Sequence, residues 1–173
     1  MREFDDWYSR VRPRMYPALA AWCGDPSVAA DALDDAFVRA LERWNRVARM
    51  DSPEGWLWRT AANAIRRRTR RLVRETQHWR RHAQGATDVV LDPAGFDVDL
   101  VRALQMLTER QRTAVVLRYV ADLPEKEVAE MMSIAPGTVS ATIHQARQRL
   151  IEVLADPTEP SASPNAGPME RRP

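Results

Sequence analysis

The sequence predicts an all-α protein made of two small helical domains joined by a flexible linker. Three observations predict it. Apolar residues recur at steps of three and four over most of the 173 residues. Helix-start signals are spread along the chain at Asp25-Pro26, at Ser52-Pro53 and in the capping box that runs from Thr108 to Gln111. The periodicity lapses over residues 83–98, where Gly, Asp, Pro and Ala dominate, as is typical of a linker.

Three helices are predicted before the linker. The first covers Glu3–Trp22, and because Pro13 and Pro17 lie inside it, we expect it to be kinked or broken. The second begins at Pro26 and continues to about Trp44. Its predicted core face consists of Ala29, Leu33, Ala36, Phe37, Ala40, Leu41 and Trp44. The third begins at Pro53 and continues as far as His82, with Trp56 and Trp58 near its start. At this spacing tryptophans are more often core residues than base-stacking platforms, and we expect at least Trp56 to be core.

Charge is segregated along the chain although the net charge is only +2. Residues 61–82 contain eight arginines and one glutamate, whereas residues 83–100 contain four aspartates and no cation. A helix with arginines on every side repels itself unless a polyanion lies beside it, so the arginine run predicts contact with nucleic acid. An acidic patch, Asp31, Asp34 and Asp35, lies off the apolar face of the second helix; from the residues alone it is solvated charge favoured by the helix dipole.

A helix-turn-helix is predicted after the linker. Its helices are Pro124–Met132 and Pro136–Leu154, joined by the corner Ser133-Ile134-Ala135. Earlier core candidates are Val101, Leu104, Leu107, Val115, Val116, Tyr119 and Val120. The second helix has an apolar stripe formed by Val139, Ile143, Ala146, Leu150 and Val153. Its other faces carry polar residues suited to base edges and phosphates, among them Ser140, Thr142, His144, Arg147 and Arg149. Residues 156–173, rich in proline, are expected to be disordered.

Several function classes are not supported by the sequence. The chain has no Gly-rich phosphate loop and no nucleophile motif, so we expect neither catalysis nor a cofactor. His78 and His82 have metal-clamp spacing but lack further ligands, and we expect no metal site. The single cysteine, Cys23, excludes an intramolecular disulfide and is expected to be a packing residue. With neither a membrane span nor a signal peptide, the expected location is the cytoplasm.

Two blocks of sequence resemble one family. Asp31-Ala-Leu-Asp-Asp-Ala-Phe-Val-Arg-Ala-Leu-Glu-Arg-Trp44, followed by Gly55-Trp-Leu-Trp-Arg-Thr-Ala-Ala-Asn63 and the arginine run, resembles region 2 of bacterial sigma factors. The stretch Ala103–Val120, then Glu127-Val-Ala-Glu-Met131, Gly137-Thr-Val-Ser140 and Ala146-Arg-Gln-Arg-Leu150, resembles region 4. Two regions with a short linker, covering residues 3–154, are similar to the extracytoplasmic-function (ECF) group.

The resemblance implies a role for each part of the chain. Residues 1–82 would bind core RNA polymerase and the −10 element, and residues 99–155 the −35 element. The partners would be the polymerase β′ clamp and β flap, promoter DNA and an anti-sigma protein that covers the polymerase-binding surfaces. The clamp-binding residues would be Asp31, Asp34, Asp35 and Phe37, which reverses the reading of the acidic patch as solvated charge. The −10 contacts would be Arg59, Asn63, Arg66, Arg67, Arg70 and Arg71. The −35 contacts would be Thr138, Ser140, Thr142, His144, Arg147 and Arg149.

The chain also departs from the family pattern. Ser140-Ala141-Thr142 stands where Lys-Ser-Arg is common, so two cations are missing, and Ser133 occupies a corner where glycine is usual. Asp34 replaces a usual glutamine, and Arg66 and Thr69 replace apolar residues. Two other functions stay open at this point. One is a stand-alone helix-turn-helix regulator with an N-terminal interaction module; the other is an all-α adaptor that binds only protein. The arginine run favours the sigma factor, because a dimerisation module does not need it.

Overall fold

A computed structural model describes residues 2–80 and 98–155, the side chains of residues 72–80 excepted. Within these two ranges every regular element is helical and no strand forms. The N-terminal unit, residues 2–80, consists of α1 (Arg2–Cys23), α2 (Pro26–Glu42), α3 (Trp44–Val47) and α4 (Pro53–Arg80). The C-terminal unit, residues 98–155, consists of α5 (Val98–Gln105), α6 (Glu109–Val115), a π-helical turn (Val116–Val120), α7 (Glu125–Met132) and α8 (Pro136–Ala155). The predicted linker, tail and His82 lie almost wholly outside the described residues.

The helix α1 is continuous through Pro13 and Pro17, so of the predicted kink or break, the break is wrong. Pro13 and Pro17 lie inside the helix, where each lacks the N–H that would bond to the preceding turn. Burial of one face over the whole length opposes a break. That face consists of Phe4, Trp7, Val11, Met15, Leu19 and Trp22. At roughly 1.5–3 kcal/mol for each large apolar side chain, this burial exceeds the loss of two backbone hydrogen bonds.

The predicted helix starts are confirmed because each depends on a local hydrogen bond. The Asp25 carboxylate accepts from the Val28 amide at 3.0 Å, and the Ser52 hydroxyl accepts from the Gly55 amide at 3.0 Å. The capping box of Thr108 is present with both of its hydrogen bonds. The helix-turn-helix corner is also where it was predicted: α7 ends at Ser133, which has the left-handed backbone angles φ 55° and ψ 47°.

Aromatic side chains fill the core of the N-terminal unit. Phe4, Trp7, Tyr8, Phe37 and Trp44 lie with neighbouring ring centroids 4.7–6.3 Å apart. The two tryptophans near the start of α4 contribute to the core, Trp58 fully and Trp56 partly. One predicted core residue does not: Leu41 is 48% exposed, although its neighbour Ala40 is fully buried, so Leu41 lies outside the buried face of α2.

Aliphatic side chains fill the core of the C-terminal unit, including Val101, Leu104, Val128, Val139 and Ile143. The predicted core position of Tyr119 is wrong, since its side chain is 54% exposed. A π-helical turn spans Val116–Val120 and changes the rotation per residue, so the α-helical period places Tyr119 on the wrong face. The stripe of α8 is buried as far as Ala146, and beyond it Leu150 and Val153 are only partly covered.

The two units pack directly against each other and share one hydrophobic cluster. The helix α1 contacts α5 and the π-helical turn, and α4 contacts α7. The inner side chains Met15, Ala18, Leu117 and Ala121 belong to this shared cluster. In neither described range does any helix have the length and apolar character that crossing a membrane requires.

Candidate nucleic-acid interface

The exposed face of α4 carries most of the predicted −10 residues. Leu57, Trp58, Ala61, Ala62 and Ile65 turn inward and fix the rotation of the helix. As a consequence, the side chains of Arg59, Asn63, Arg67, Arg70 and Arg71 are exposed. Asn63, Arg66, Arg67 and Arg70 line one shallow pocket together with Glu109 of α6. Guanidinium groups grouped in this way are suited to phosphates on adjacent nucleotides.

Two of the predicted −10 arginines bond to the C-terminal unit. Arg59 donates from Nη1 to the Met131 carbonyl at 3.2 Å and to the Ser133 hydroxyl at 3.0 Å. Arg66 forms an ion pair with Glu109, and its guanidinium lies 5.5 Å from the ring centroid of Trp22. Arg66 also donates to the Asn63 side chain at 2.6 Å, so Asn63 is oriented by its neighbour one turn away. Sequence reasoning missed these contacts, because the partners are 43 to 74 residues distant in the chain.

The outward face of α8 carries the predicted −35 residues with one exception. Ser140, His144, Arg147 and Arg149 are exposed and Thr138 is partly exposed. Ser140 donates to the Glu125 carboxylate, and Arg149 pairs with Glu152 at 3.0 Å. Thr142 does not face outward as predicted: it is buried, and its hydroxyl donates to the Thr138 carbonyl at 2.6 Å. A threonine can satisfy its hydroxyl on the preceding turn, so it can join the buried face of the helix.

The acidic patch on α2 is exposed and partly neutralised from within the chain. Asp31 pairs with Arg68 at 3.1 Å and Asp34 with Arg12 at 3.3 Å. Phe37, predicted with these aspartates, is buried 4.7 Å from Tyr8 by ring centroids, so it holds the helix in place without presenting a surface of its own. Pairs between such exposed groups contribute about 0–1 kcal/mol, so a partner could replace them at little cost.

Two apolar residues on α2 extend the acidic patch and were missed by sequence reasoning. Val38 is 57% exposed and Leu41 is 48% exposed. They lie at the next turns after Asp31 and Asp34, at steps of four and three, so one stripe is acidic at its start and apolar at its end. The signal was present in the periodicity, but Leu41 had been placed on the core face. An exposed apolar stripe beside acids is typical of a protein-binding surface.

The junction of α1 with the C-terminal unit contains two titratable groups with shifted pKa values. Burial raises the pKa of the Cys23 thiol from 9.0 to about 11, although the thiol donates to the Asp25 carbonyl at 3.2 Å. Burial also lowers the pKa of the Arg112 guanidinium, which donates to the Trp22 carbonyl at 3.1 Å. Both groups lie where α1 ends, so this end of the helix is an interior position of the molecule.

Comparisons with known proteins find the same two regions. The family model "Sigma-70 region 2" matches residues 7–75, and "Sigma-70, region 4" matches residues 97–150. The RNA polymerase sigma-E factor of Streptomyces antibioticus is 31% identical over 158 residues, which cover 89% of this chain and 82% of that protein. The ECF RNA polymerase sigma factor SigW of Bacillus subtilis is 27% identical over 167 residues, which cover 88% of this chain and 89% of that protein.

Two solved structures share the fold. One is the sigma factor RpoE in complex with the anti-sigma factor NepR from Bartonella quintana, with a TM-score of 0.68, 22% identity and coverage of 90% of this chain and 98% of that chain. The other is CnrH in complex with the cytosolic domain of CnrY, with a TM-score of 0.60, 22% identity and coverage of 89% and 88%. The helical architecture, the two matched regions and the sigma factor relatives agree: this chain belongs to the ECF group of the sigma-70 family of RNA polymerase sigma factors.

Proposed function

We propose that this sigma factor binds core RNA polymerase through α2 and directs transcription initiation by reading the −10 element with α4 and the −35 element with α8. One observation carries the proposal: a single chain presents an arginine face on α4, a polar helix-turn-helix face on α8 and a separate acidic and apolar stripe on α2. A stand-alone DNA-binding regulator has no need of the third surface. In this assignment residues 1–82 and 99–155 are the two functional units and residues 83–98 connect them.

The polymerase surface is the stripe formed by Asp31, Asp34, Asp35, Val38 and Leu41. The aspartates attract a basic surface at long range, and the two apolar residues supply the area that is desolvated on contact. Arg12 and Arg68 already neutralise two of the aspartates, so the apolar residues contribute the larger share of the affinity. Phe37 acts from beneath by holding this part of α2 against Trp7 and Tyr8.

Reading of the −10 element is assigned to α4. Strand opening removes a base from its stack at a cost of a few kcal/mol, which backbone contacts must offset. The guanidinium groups of Arg67, Arg70 and Arg71 are exposed and can bind phosphates. Arg59 joins them once its Nη1 leaves Met131 and Ser133, and Arg66 once it leaves Glu109. Asn63 lies among them and has both donors and an acceptor for a base edge.

Reading of the −35 element is assigned to the exposed face of α8. Its candidates are Thr138, Ser140, His144, Arg147 and Arg149. The two arginines lie in the second half of the helix, so the half nearest the corner presents the hydroxyl groups of Thr138 and Ser140 and the imidazole of His144 but no arginine or lysine. Each missing phosphate contact lowers the salt dependence of binding by about one counterion. We therefore expect selectivity from α8 chiefly when polymerase holds it on the promoter.

Two further expectations follow from the family. RpoE was solved in complex with the anti-sigma factor NepR, and CnrH in complex with the cytosolic domain of CnrY. We propose an anti-sigma regulator for this chain as well. The chain works where polymerase and chromosomal DNA are found, which is the cytoplasm, and the role requires no catalysis or cofactor of its own.

The test is run-off transcription with core polymerase on a promoter library, together with core binding by surface-altered variants. Val38→Ser with Leu41→Ser should weaken core binding by about tenfold or more, because the apolar centre of the surface is lost. Met106→Ser is the matched control, since Met106 is an equally exposed apolar residue (59%) on the other unit, and it should leave core affinity unchanged. Absence of both core binding and initiation would refute the proposal, and binding to double-stranded DNA without core would favour a stand-alone regulator.

A further inference from the structure

The outward face of α8 begins at the helix-turn-helix corner with small side chains. Buried Val139 and Ile143 fix the rotation of the helix, and as a consequence Gly137, Ser140 and His144 are exposed. These three follow one another at steps of three and four residues, so they lie on one stripe. The first turns of a recognition helix are the part that contacts base edges in the major groove. Ser140 therefore occupies a base-reading position, with no arginine or lysine before it on the helix.

The surface around Ser140 is open. A Cβ atom built on Gly137, one turn earlier, would have no heavy atom within 4 Å outside the helix's own neighbouring backbone. Gly137 also does not have a positive φ, so neither packing nor backbone geometry within the described residues requires glycine there. Glycine inside a helix is unfavourable relative to alanine. An approaching DNA groove would make use of the missing side chain, because the backbone of α8 can then come close to it.

The hydroxyl of Ser140 is held by the other helix of the motif. It donates to the carboxylate of Glu125, the first residue of α7. The Pro136 carbonyl lies farther away, at 3.5 Å, and is uncharged. An ionised acceptor binds a hydroxyl proton more strongly than a carbonyl does, so the proton of Ser140 is directed at Glu125. The first turn of α7 is a favourable place for a carboxylate, because the positive end of the helix dipole lies there.

The hydrogen bond to Glu125 fixes what Ser140 can offer a base. A serine hydroxyl has one proton and two acceptor lone pairs. With its proton committed to Glu125, the oxygen of Ser140 can accept a hydrogen bond from a base but cannot donate one. Thr142 also commits its proton, to the Thr138 carbonyl at 2.6 Å, but its side chain is buried and presents nothing to DNA. Ser140 is thus an exposed acceptor of fixed polarity near the start of α8.

We propose that Glu125 and Ser140 together select an amino base, adenine or cytosine, at one position of the −35 element. This inference rests on the proposed function of α8 as the −35 reader. In the major groove adenine N6 and cytosine N4 donate hydrogen bonds, whereas guanine O6 and N7 and thymine O4 accept them. An oxygen that can only accept binds the first pair of bases and is left facing another acceptor by the second pair. Ser140 touches the base, and Glu125 is a positioning residue that sets the polarity of Ser140.

The negative charge beside Ser140 adds rejection to this preference. A carboxylate near the groove repels the acceptor edges of guanine and thymine, and specificity commonly depends on such a repulsive element. Ser140 stands where a lysine is common in the family, and a lysine carries three donors and no acceptor. The polarity of this position is therefore the reverse of that of a lysine. The chain gives up a cation that would attract any DNA and gains discrimination between bases.

The test measures base preference at every position of the −35 element with the full chain. A promoter library randomised over that element is transcribed by the chain with core polymerase, and the transcribed templates are sequenced. In a second arm, duplexes of the same library that the chain alone retains are sequenced. We expect one base pair at which adenine and cytosine on one strand are favoured over guanine and thymine by about three- to tenfold, the value of one hydrogen bond.

Two variants and a matched control separate base selection from general effects. Ser140→Ala should bring the preference at that base pair close to one. Glu125→Lys replaces the acceptor by donors and frees the proton of Ser140, so the preference should shift toward guanine and thymine at the same base pair. Glu127→Lys makes the same change of charge at an exposed residue of α7 that is not the acceptor of Ser140, and it should leave the preference unchanged. A purely structural role of the bond would alter affinity for every sequence alike.

The outcomes distinguish base selection from the proposed function. If promoters are transcribed but no base pair groups adenine with cytosine, or if the grouping is the same in Ser140→Ala and Glu125→Lys, the inference fails and the proposed function stands. If no promoter supports initiation, the proposed function fails and the retained duplexes decide. A grouping of adenine with cytosine there that Ser140→Ala abolishes would uphold the inference, and its absence would overturn it. A control variant that shifts the preference as Glu125→Lys does would also overturn it.

Discussion

The two units have different hydrophobic cores, and this difference determines which unit depends on the other for its stability. In the N-terminal unit Phe4, Trp7, Phe37 and Trp44 form an aromatic cluster between α1, α2 and α3 with ring centroids 5.0–5.8 Å apart. The C-terminal unit has short helices and aliphatic core residues, and Tyr119, the aromatic side chain of its π-helical turn, is exposed. Aromatic side chains bury about 150–250 Å² each, so these four supply a large share of the apolar burial that stabilises the N-terminal unit.

The C-terminal unit lacks such a cluster and rests on α1. The fully buried side chains of its π-helical turn, Val116 and Leu117, belong to the cluster shared with the N-terminal unit. Small domains bury a small fraction of their surface and are marginal alone. The helix α1 therefore supplies core side chains to both units. Loosening the junction between the units should destabilise the C-terminal unit more than the N-terminal unit.

The largest expected effect comes from removing the centre of the aromatic cluster. Trp7 contacts Phe4, Phe37 and Trp44, and its indole donates to the Glu54 carboxylate at 2.8 Å. We expect Trp7→Ala to lower the free energy of unfolding by about 3–5 kcal/mol, as measured by urea denaturation. Tyr119→Ala, at an exposed aromatic of the other unit, should change it by less than about 0.5 kcal/mol. Equal effects would contradict the contrast between the cores.

A smaller effect is expected at the hydrogen bond that the Trp22 indole of α1 donates to the Thr113 hydroxyl of α6, which joins the two units. Trp22→Phe removes the donor and leaves the buried Thr113 hydroxyl without its partner, at a cost of about 1–3 kcal/mol in unfolding free energy. Thr113→Val should cost a similar amount, because the indole is then unpaired. The double variant should be no worse than either single one, and a double-mutant cycle in urea denaturation measures this coupling. Additive losses would mean that the two side chains act independently.

Local signals account for most of the fold that could be predicted. The caps at Asp25, Ser52 and Thr108 satisfy amides within three residues, so a single sequence contains both partners. The wrong predictions concern features that depend on elements distant in the sequence or on a departure from α-helical geometry. The continuity of α1 depends on a face buried by other helices, and the exposure of Tyr119 depends on a π-helical turn that the α-helical period does not contain.

The residues of the candidate site could be predicted from the sequence, but the contacts that they form with the other unit could not. The arginines of α4 could be named from their density alone, whereas the engagement of Arg59 and Arg66 could not, because Ser133 and Glu109 lie on the other unit. Only part of the stripe from Asp31 to Leu41 was predicted: the acids were identified, whereas Leu41 was assigned to the core and Val38 was not singled out. Periodicity gives the faces of a helix, but the number of neighbours determines how many faces are buried.

The smallest expected effect concerns Cys23, where α1 meets the C-terminal unit. Burial raises its pKa from 9.0 to about 11, so the unfolded chain loses this proton at lower pH than the folded chain. The contribution of the protonated thiol to the free energy of unfolding is therefore complete below about pH 9 and is lost as the pH rises toward 11. At about pH 10 the loss is roughly 1 kcal/mol, measured as the difference between wild type and Cys23→Ala in urea denaturation at pH 8 and 10.

The same shift predicts slow alkylation of the native thiol. At pH 8 the thiolate fraction is about 100-fold lower for a pKa near 11 than for one near 9, so an alkylating reagent should label native Cys23 about 100-fold more slowly than urea-unfolded Cys23. Because Cys23 is the sole cysteine, the rate has a single source. Labelling of the wild type at the unfolded rate would show that the end of α1 is not held against the C-terminal unit, and that the two cores are independent.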